Sequence, residues 1–352
     1  MNATSTQRPP LGVRLLHRLV KEPDWSTMTP TEVVAFGEAA TRKAASPLAR
    51  IITGLPDRGA SIRWREVTLP NRKLRVRVYR PFPKHDAGTN LPLVLHVHGG
   101  GFMGTAVQSD WLNSYLAARL PAVVVSVEHR LLAPGIPLSA MVDDGWDVLR
   151  HIVRNAAEWG VDPARVAVVG ESAGALVAAL AVLRARESGV LLRAQVLVNP
   201  ALDVTETALD YPSMAEHAHT PTLTVERLRA FLRLALPPGI DPRALSPLCA
   251  DDLSGLAPAL VVVPTVDPVA DHGRRYAERL REAGTPVRLT ELHGATHAFL
   301  SMPGVVPQAR TVRTEIAEFL RAYFSLAVII KDGKSRMEEA NARSHGGTAR
   351  VA

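Results

Sequence analysis

The chain of 352 residues contains one cysteine, Cys249, six lysines (Lys21, Lys43, Lys73, Lys84, Lys331 and Lys334) and 5% aromatic residues. A single cysteine excludes an internal disulfide, a thiolate zinc cluster and an iron-sulfur site within one chain, and it suits a cytoplasmic location. The longest apolar stretches, such as Ala175 to Leu183 and Leu326 to Ile330, fall far short of the roughly 18 to 20 residues that cross a bilayer. Stable membrane insertion is therefore not expected. The scarcity of lysine also shapes the reading of charge. Formal charge is +7, but the arginines that produce it are spread through every segment, and no basic run is interleaved with aromatics. Nucleic acid is not expected as a partner.

What is present is ample core material, 47% hydrophobic against 21% charged residues, enough for one large α/β domain with a smaller appendage. Leu11 to Lys21 reads as a short basic amphipathic helix folded over the domain by Leu11, Leu15, Leu16 and Leu19, with a transit or membrane-surface helix as the alternative. Residues 331–352 are polar, rich in small residues and aperiodic, and read as a disordered tail. From about Ser61 a different pattern begins. Ile62 to Leu69 and Leu74 to Tyr79 alternate apolar and polar residues, as an antiparallel edge hairpin would. Continuous apolar runs follow at Leu93 to Val97, Ala122 to Val127, Val166 to Val169, Ala194 to Val198, Leu260 to Val263 and Val287 to Leu289. Amphipathic stretches at Ser109 to Arg119, Met141 to Ala156, Ala173 to Arg186, Arg274 to Ala283 and Gln308 to Tyr323 separate most of them. The pattern predicts an eight-stranded, mostly parallel α/β sheet with flanking helices over 61–325. Two segments stand outside it, residues 1–60 and about 204–248, the second with a helical pattern around Val225 to Leu236, and together they are expected to form a helical cap.

The strongest local signal is Gly170-Glu171-Ser172-Ala173-Gly174, directly after one apolar run and directly before a helical one. A strand that turns this sharply into a helix has no room for a Cβ two residues before or after the serine, and it presents the hydroxyl at the helix N-terminus. A second signal is His98-Gly99-Gly100-Gly101-Phe102, after the run Leu93 to Val97. Consecutive glycines let backbone N–H groups face a cavity, as stabilising a tetrahedral oxyanion requires, and Gly100, Gly101 and Ala173 are the candidate donors. The competing phosphate-cradle reading lacks both G-x-G-x-x-G and G-K-[ST].

A serine hydroxyl needs a base, and the base needs an orienting carboxylate. Asp267 follows the run Leu260 to Val263, ahead of Pro268, and is preferred over Asp271, which reads as a helix cap. His297 lies beyond Gly294 in His293-Gly294-Ala295-Thr296-His297, and is preferred over His293, which sits nearer the strand. The order Ser, Asp, His is that of α/β-hydrolases.

With these residues in place, the chain resembles the hormone-sensitive-lipase-like branch of the α/β-hydrolase serine esterases over roughly residues 60 to 325. The resemblance rests on HGGGF at 98–102, GESAG at 170–174, Asp267-Pro268 with Asp271, and His297 before Ala298-Phe299. It implies the α/β-hydrolase fold and a serine carboxylesterase acting on a small-molecule ester of short to medium acyl length. It further implies Ser172 as nucleophile, His297 as base and then acid, Asp267 as its orienter, and no metal, nucleotide or prosthetic cofactor. His98, Gly99, Gly170, Glu171 and Gly174 support the motifs, and a homo-oligomer is compatible with the sequence. An acyltransferase or amidase would use the same triad, and a non-catalytic ligand-binding member of the fold is the third reading. The resemblance has departures. His129-Arg130-Leu131-Leu132-Ala133-Pro134-Gly135 stands where the family commonly shows Tyr-Arg-Leu-Ala-Pro-Glu, Glu171 stands for the more usual Asp, and Ala175 for a frequent Gly.

Overall fold

The structure, a computed structural model, describes residues 8–19, 22–82 and 90–325; the tail expected at 331–352 lies outside them. The chain opens with α1 (Leu11–Leu19), α2 (Pro30–Ala44) and α3 (Arg50–Thr53), then enters an antiparallel pair, β1 (Ala60–Leu69) and β2 (Arg72–Pro81). The alternation proper follows: β3 (Leu91–Val97), α4 (Asp110–Arg119), β4 (Val123–Val127), α5 (Leu138–Arg154), α6 (Ala156–Trp159), β5 (Val161–Glu171), α7 (Ala173–Glu187) and β6 (Ala194–Val198). After an insertion bearing α8 (Pro212–Glu216) and α9 (Val225–Ala235), it resumes with β7 (Ala259–Val266), α10 (Ala270–Glu282), β8 (Val287–Thr296) and α11 over 308–325.

The eight strands form one sheet in the order β1-β2-β4-β3-β5-β6-β7-β8. β2 pairs antiparallel with both β1 and β4, and the pairings from β4 across to β8 are parallel. This is the α/β-hydrolase fold. Because successive strand residues face opposite sides, the central runs fill two cores at once. Leu93, Leu95 and Val97 join α5, α7 and α10 on one face, while Val94, Val124 and Val169 join α4 and α11 on the other. No helix among the described residues is long and apolar enough to cross a membrane.

The two segments outside the alternation meet above the sheet. The Trp25 ring lies 4.9 Å from Phe36 and 5.6 Å from Phe231 of α9, both edge to face, so residues far apart in the chain share one aromatic cluster. Trp25 is fully buried and packs there. α1 forms where its amphipathic pattern predicts, but the expected inward leucines are corrected: Leu11, Leu15 and Leu19 are exposed, and Val13 is the buried side chain. The reason is a close approach. Gly12 lies so tightly on Val305 that an added Cβ would come within 2.7 Å of the Val305 Cβ, which turns the Gly12-Val13 side of the helix inward.

One buried charge ties these layers. Asp110, fully buried at the start of α4, accepts hydrogen bonds from Arg77 Nε (2.6 Å), Arg50 Nη2 (2.8 Å) and the Tyr79 hydroxyl (2.8 Å). The carboxylate thereby joins β2, the N-terminal segment and α4. Removing one partner of such a pair leaves buried charge uncompensated, so Asp110→Ala is expected to cost about 3 to 5 kcal/mol. Urea unfolding would show this as a lower midpoint, and a loss under 1 kcal/mol would contradict it.

Candidate active site

Ser172 occupies the turn between β5 and α7 with φ 52° and ψ −119°, a conformation that non-glycine residues rarely adopt. Two glycines permit it. A Cβ on Gly170 would be driven into the Gly174 carbonyl, and a Cβ on Gly174 into the carbonyls of Val97 and His98. Backbone cannot yield as a flexible side chain can, so this turn and the end of β3 touch only because both positions lack a side chain. Ser172 N–H donates to the Val198 carbonyl (2.9 Å), which fastens the turn to β6.

The Ser172 Oγ lies 2.7 Å from His297 Nε2, and His297 Nδ1 lies 2.7 Å from Asp267 Oδ2. The three side chains, drawn from the ends of β5, β7 and β8, therefore form one continuous hydrogen-bonded row. Asp267 is fully buried, and its Oδ1 accepts the Val269 N–H (3.0 Å), so both oxygens are engaged. That contact corrects the expectation for Asp271. Asp271 lies inside the first turn of α10, where its carboxylate accepts the Ser213 N–H and pairs with Arg274 at 3.0 Å. β8 extends through Thr296, so His297 immediately follows the strand, while His293 lies within it and is exposed.

Gly99, Gly100, Gly101 and Ala173 line a cavity of about 260 Å³ together with Ser172, Glu171 and His297. Gly100 and Gly101 both have positive φ, at 105° and 62°. Among the described residues, none of the N–H groups of Gly100, Gly101 and Ala173 meets an acceptor. His98 points away from the cavity into the protein. Its Nδ1 donates to the Gly99 carbonyl (2.9 Å), and its ring stacks on His129 at 4.4 Å. Burial, reinforced by His129, holds the His98 pKa well below the ordinary histidine value, so this support stays neutral. Glu171, nearly fully buried, accepts the Ser301 hydroxyl at 3.0 Å.

Sequence reasoning missed several residues here. Asn199, at positive φ after β6, sits with Nδ2 3.5 Å from His297 Nε2, and its buried Oδ1 has no partner among the described residues. Its place at a strand's C-terminal end was the available signal. Thr222, Arg227 and Phe231 of the insertion also line the cavity; the last two carried no signal beyond helical periodicity, and Thr222, ahead of α9, carried none.

A parallel sheet carrying a strained Ser172 turn, with His297 and Asp267 at neighbouring strand ends, defines an α/β hydrolase. A family model described as alpha/beta hydrolase fold matches residues 94–301. The chain is 40% identical to carboxylesterase NlhH of Mycobacterium tuberculosis over 243 residues, 66% of this chain and 73% of that protein. It is 33% identical to ethyl acetate hydrolase of Pseudomonas putida over 262 residues, 73% of this chain and 80% of that protein. An ester hydrolase from the metagenome of Lake Arreo superposes with a TM-score of 0.80 at 30% identity, covering 90% of this chain and 99% of that one. The chain belongs to the hormone-sensitive-lipase-like branch of the α/β-hydrolase family, the carboxylic ester hydrolases.

A histidine near the cavity makes acid stability a test of the electrostatics. His272 Nδ1 accepts the N–H groups of Leu202 (3.0 Å) and Asp203 (3.2 Å), and burial pushes its pKa down to about 4 against the pull of Asp203, Asp267 and Asp271. Between the ordinary value of 6.5 and that value, the unfolded chain binds a proton that the folded protein refuses. Stability is therefore expected to fall as pH drops from 6.5 towards 4, with His272 contributing up to about 1.4 kcal/mol per pH unit. In His272→Gln the slope should lose about one proton, read from urea unfolding at a series of pH values, and an unchanged slope would refute the assignment.

Proposed function

We propose that the protein is a serine carboxylesterase that hydrolyses esters of short to medium acyl length through an acyl-enzyme. The observation that carries this reading is the unbroken row from Ser172 Oγ to His297 to buried Asp267 at 2.7 Å spacings, on the wall of a largely apolar cavity. With Nδ1–H donating to Asp267, His297 presents Nε2 as an acceptor to the serine hydroxyl.

In the reaction we assign, Ser172 Oγ attacks the ester carbonyl as its proton passes to His297 Nε2. The resulting oxyanion takes hydrogen bonds from the N–H groups of Gly100, Gly101 and Ala173. Each such donor is typically worth about 2.7 to 4 kcal/mol of transition-state stabilisation. Asp267 keeps the imidazole oriented and compensates its positive charge. The tetrahedral species collapses, His297 returns the proton to the leaving alcohol, and water then repeats the sequence on the acyl-enzyme. We read residues 1–60 and the insertion as the cap that closes the acyl pocket, and the aromatic cluster of Trp25, Phe36 and Phe231 supports that division. With one cysteine and no disulfide to lose, we assign the protein to the cytoplasm.

Hydrolysis of p-nitrophenyl esters from acetate to palmitate tests this. Turnover is expected to peak below the long-chain esters. Ser172→Ala should reduce kcat by at least about 10³-fold, and Asp267→Asn by about 10⁴-fold through loss of the correct tautomer. Wild-type protein that is folded and inert towards every ester, or a Ser172→Ala variant that retains activity, would overturn the reading.

A further inference from the structure

The cavity contains a cation that acyl transfer does not use. Arg227, on the first turn of α9, is the one arginine or lysine among the described residues that line it. It stands one helical turn before Phe231, whose ring lies against the Cα of Gly101, so the guanidinium belongs to the same wall as the glycine loop. Three rings surround it, Trp25 at 5.2 Å, Phe231 at 5.3 Å and Phe36 at 6.0 Å from the guanidinium carbon. It forms an ion pair with Glu22, whose Oε1 lies 3.9 Å from Nη1, close enough to offset part of its charge but too far for a hydrogen bond. Among the described residues the guanidinium donates no hydrogen bond, and its Nε is buried without a partner. Five residues earlier, the Thr222 hydroxyl also lines the cavity, buried and unpartnered.

Buried donors without acceptors are uncommon, and two on residues that line one cavity point to an acceptor that arrives with the ligand. The acids already on the wall do not fill that role. Asp203 is occupied by the Thr205 N–H and hydroxyl and by Tyr211, and Glu171 by Ser301. A purely aromatic clasp would account for the rings but not for the unmet Nε and the Thr222 hydroxyl. The planar fork of a guanidinium matches a carboxylate better than any neutral group.

We propose that Arg227, assisted by the Thr222 hydroxyl, binds a carboxylate carried by the substrate away from the scissile bond, making half-esters of dicarboxylic acids the preferred substrate class. This rests on the esterase reading above, so the test separates the two. Binding is measured first, by calorimetry on the Ser172→Ala protein, with monomethyl glutarate against dimethyl glutarate. The half-ester is expected to bind about tenfold or more tightly than the diester. Adding Arg227→Leu should bring that preference close to one, Arg227→Lys should retain part of it, and Thr222→Val should reduce it. In the Ser172 enzyme, the kcat/KM ratio of mono-p-nitrophenyl glutarate to p-nitrophenyl valerate should drop by about tenfold or more in Arg227→Leu, chiefly through KM.

Equal binding of half-ester and diester by Ser172→Ala overturns the proposal without requiring any cap variant to fold. So does an Arg227→Leu variant that weakens both ligands equally, which is the signature of an aromatic clasp. If the Ser172 enzyme turns over neither ester while the half-ester preference and its Arg227 dependence hold, the esterase reading fails and the carboxylate site stands.

Discussion

The whole site depends on the contact between the first turn of α7 and the end of β3. Gly174 lies directly on the carbonyls of Val97 and His98, and Gly99 faces back onto the Glu171 carbonyl. The first approach leaves no space for a side chain, and the second leaves very little. Because the two backbones touch, the loop that follows β3 and the turn that carries Ser172 are held at one separation, and residues of both line the same cavity. The strain at Ser172 is sustained by surroundings that over-determine it: β6 holds its N–H, α7 begins one residue later, and the glycines deny it an alternative path.

Behind this contact the support is built from groups kept neutral or fully paired. His129 stands where related chains commonly carry tyrosine, and it stacks on His98 rather than offering a hydroxyl. Its Nδ1 donates to the Arg130 carbonyl, and Arg130 in turn is held by buried Asp144. Glu128 receives the Thr105 hydroxyl and the Ala106 N–H, closing the far side of the glycine loop. Burial disfavours charge on both imidazoles, so the loop is buttressed by flat stacked rings that favour the neutral form.

Most of the sheet was legible because buried parallel strands must be apolar on both faces. Runs such as Leu93 to Val97 and Val166 to Val169 therefore stood out before any partner was known. Ser172, Asp267 and His297 were legible for a related reason, since each follows such a run in an order that the fold constrains. What escaped detection depends on contacts distant in sequence. The place of Asn199 at the end of β6 suggests only that it lies near the site, and the contact of its side chain with His297, 98 residues away, is visible in space alone. Arg227 reads as an ordinary polar helix position, and that its Nε is buried without an acceptor among the described residues is a property of what surrounds it in space. The α1 leucines misled because amphipathicity reports which side chains are apolar, whereas the close approach at Gly12 decided which side faces inward. Asp271 resembled a cap by position, but Asp267 itself receives the N–H at that turn.

The aromatic cluster joining Trp25 to Phe231 also bears on how the protein is made. These residues are 206 positions apart, so at about 5 to 20 residues per second the ribosome needs roughly 10 to 40 s to deliver the second after the first. During that interval a tryptophan destined for full burial has no partner ring from α9. The aromatic side of the cavity therefore cannot close until α9 has been made, at a stage when β7 and β8, which lead into Asp267 and His297, are still to come.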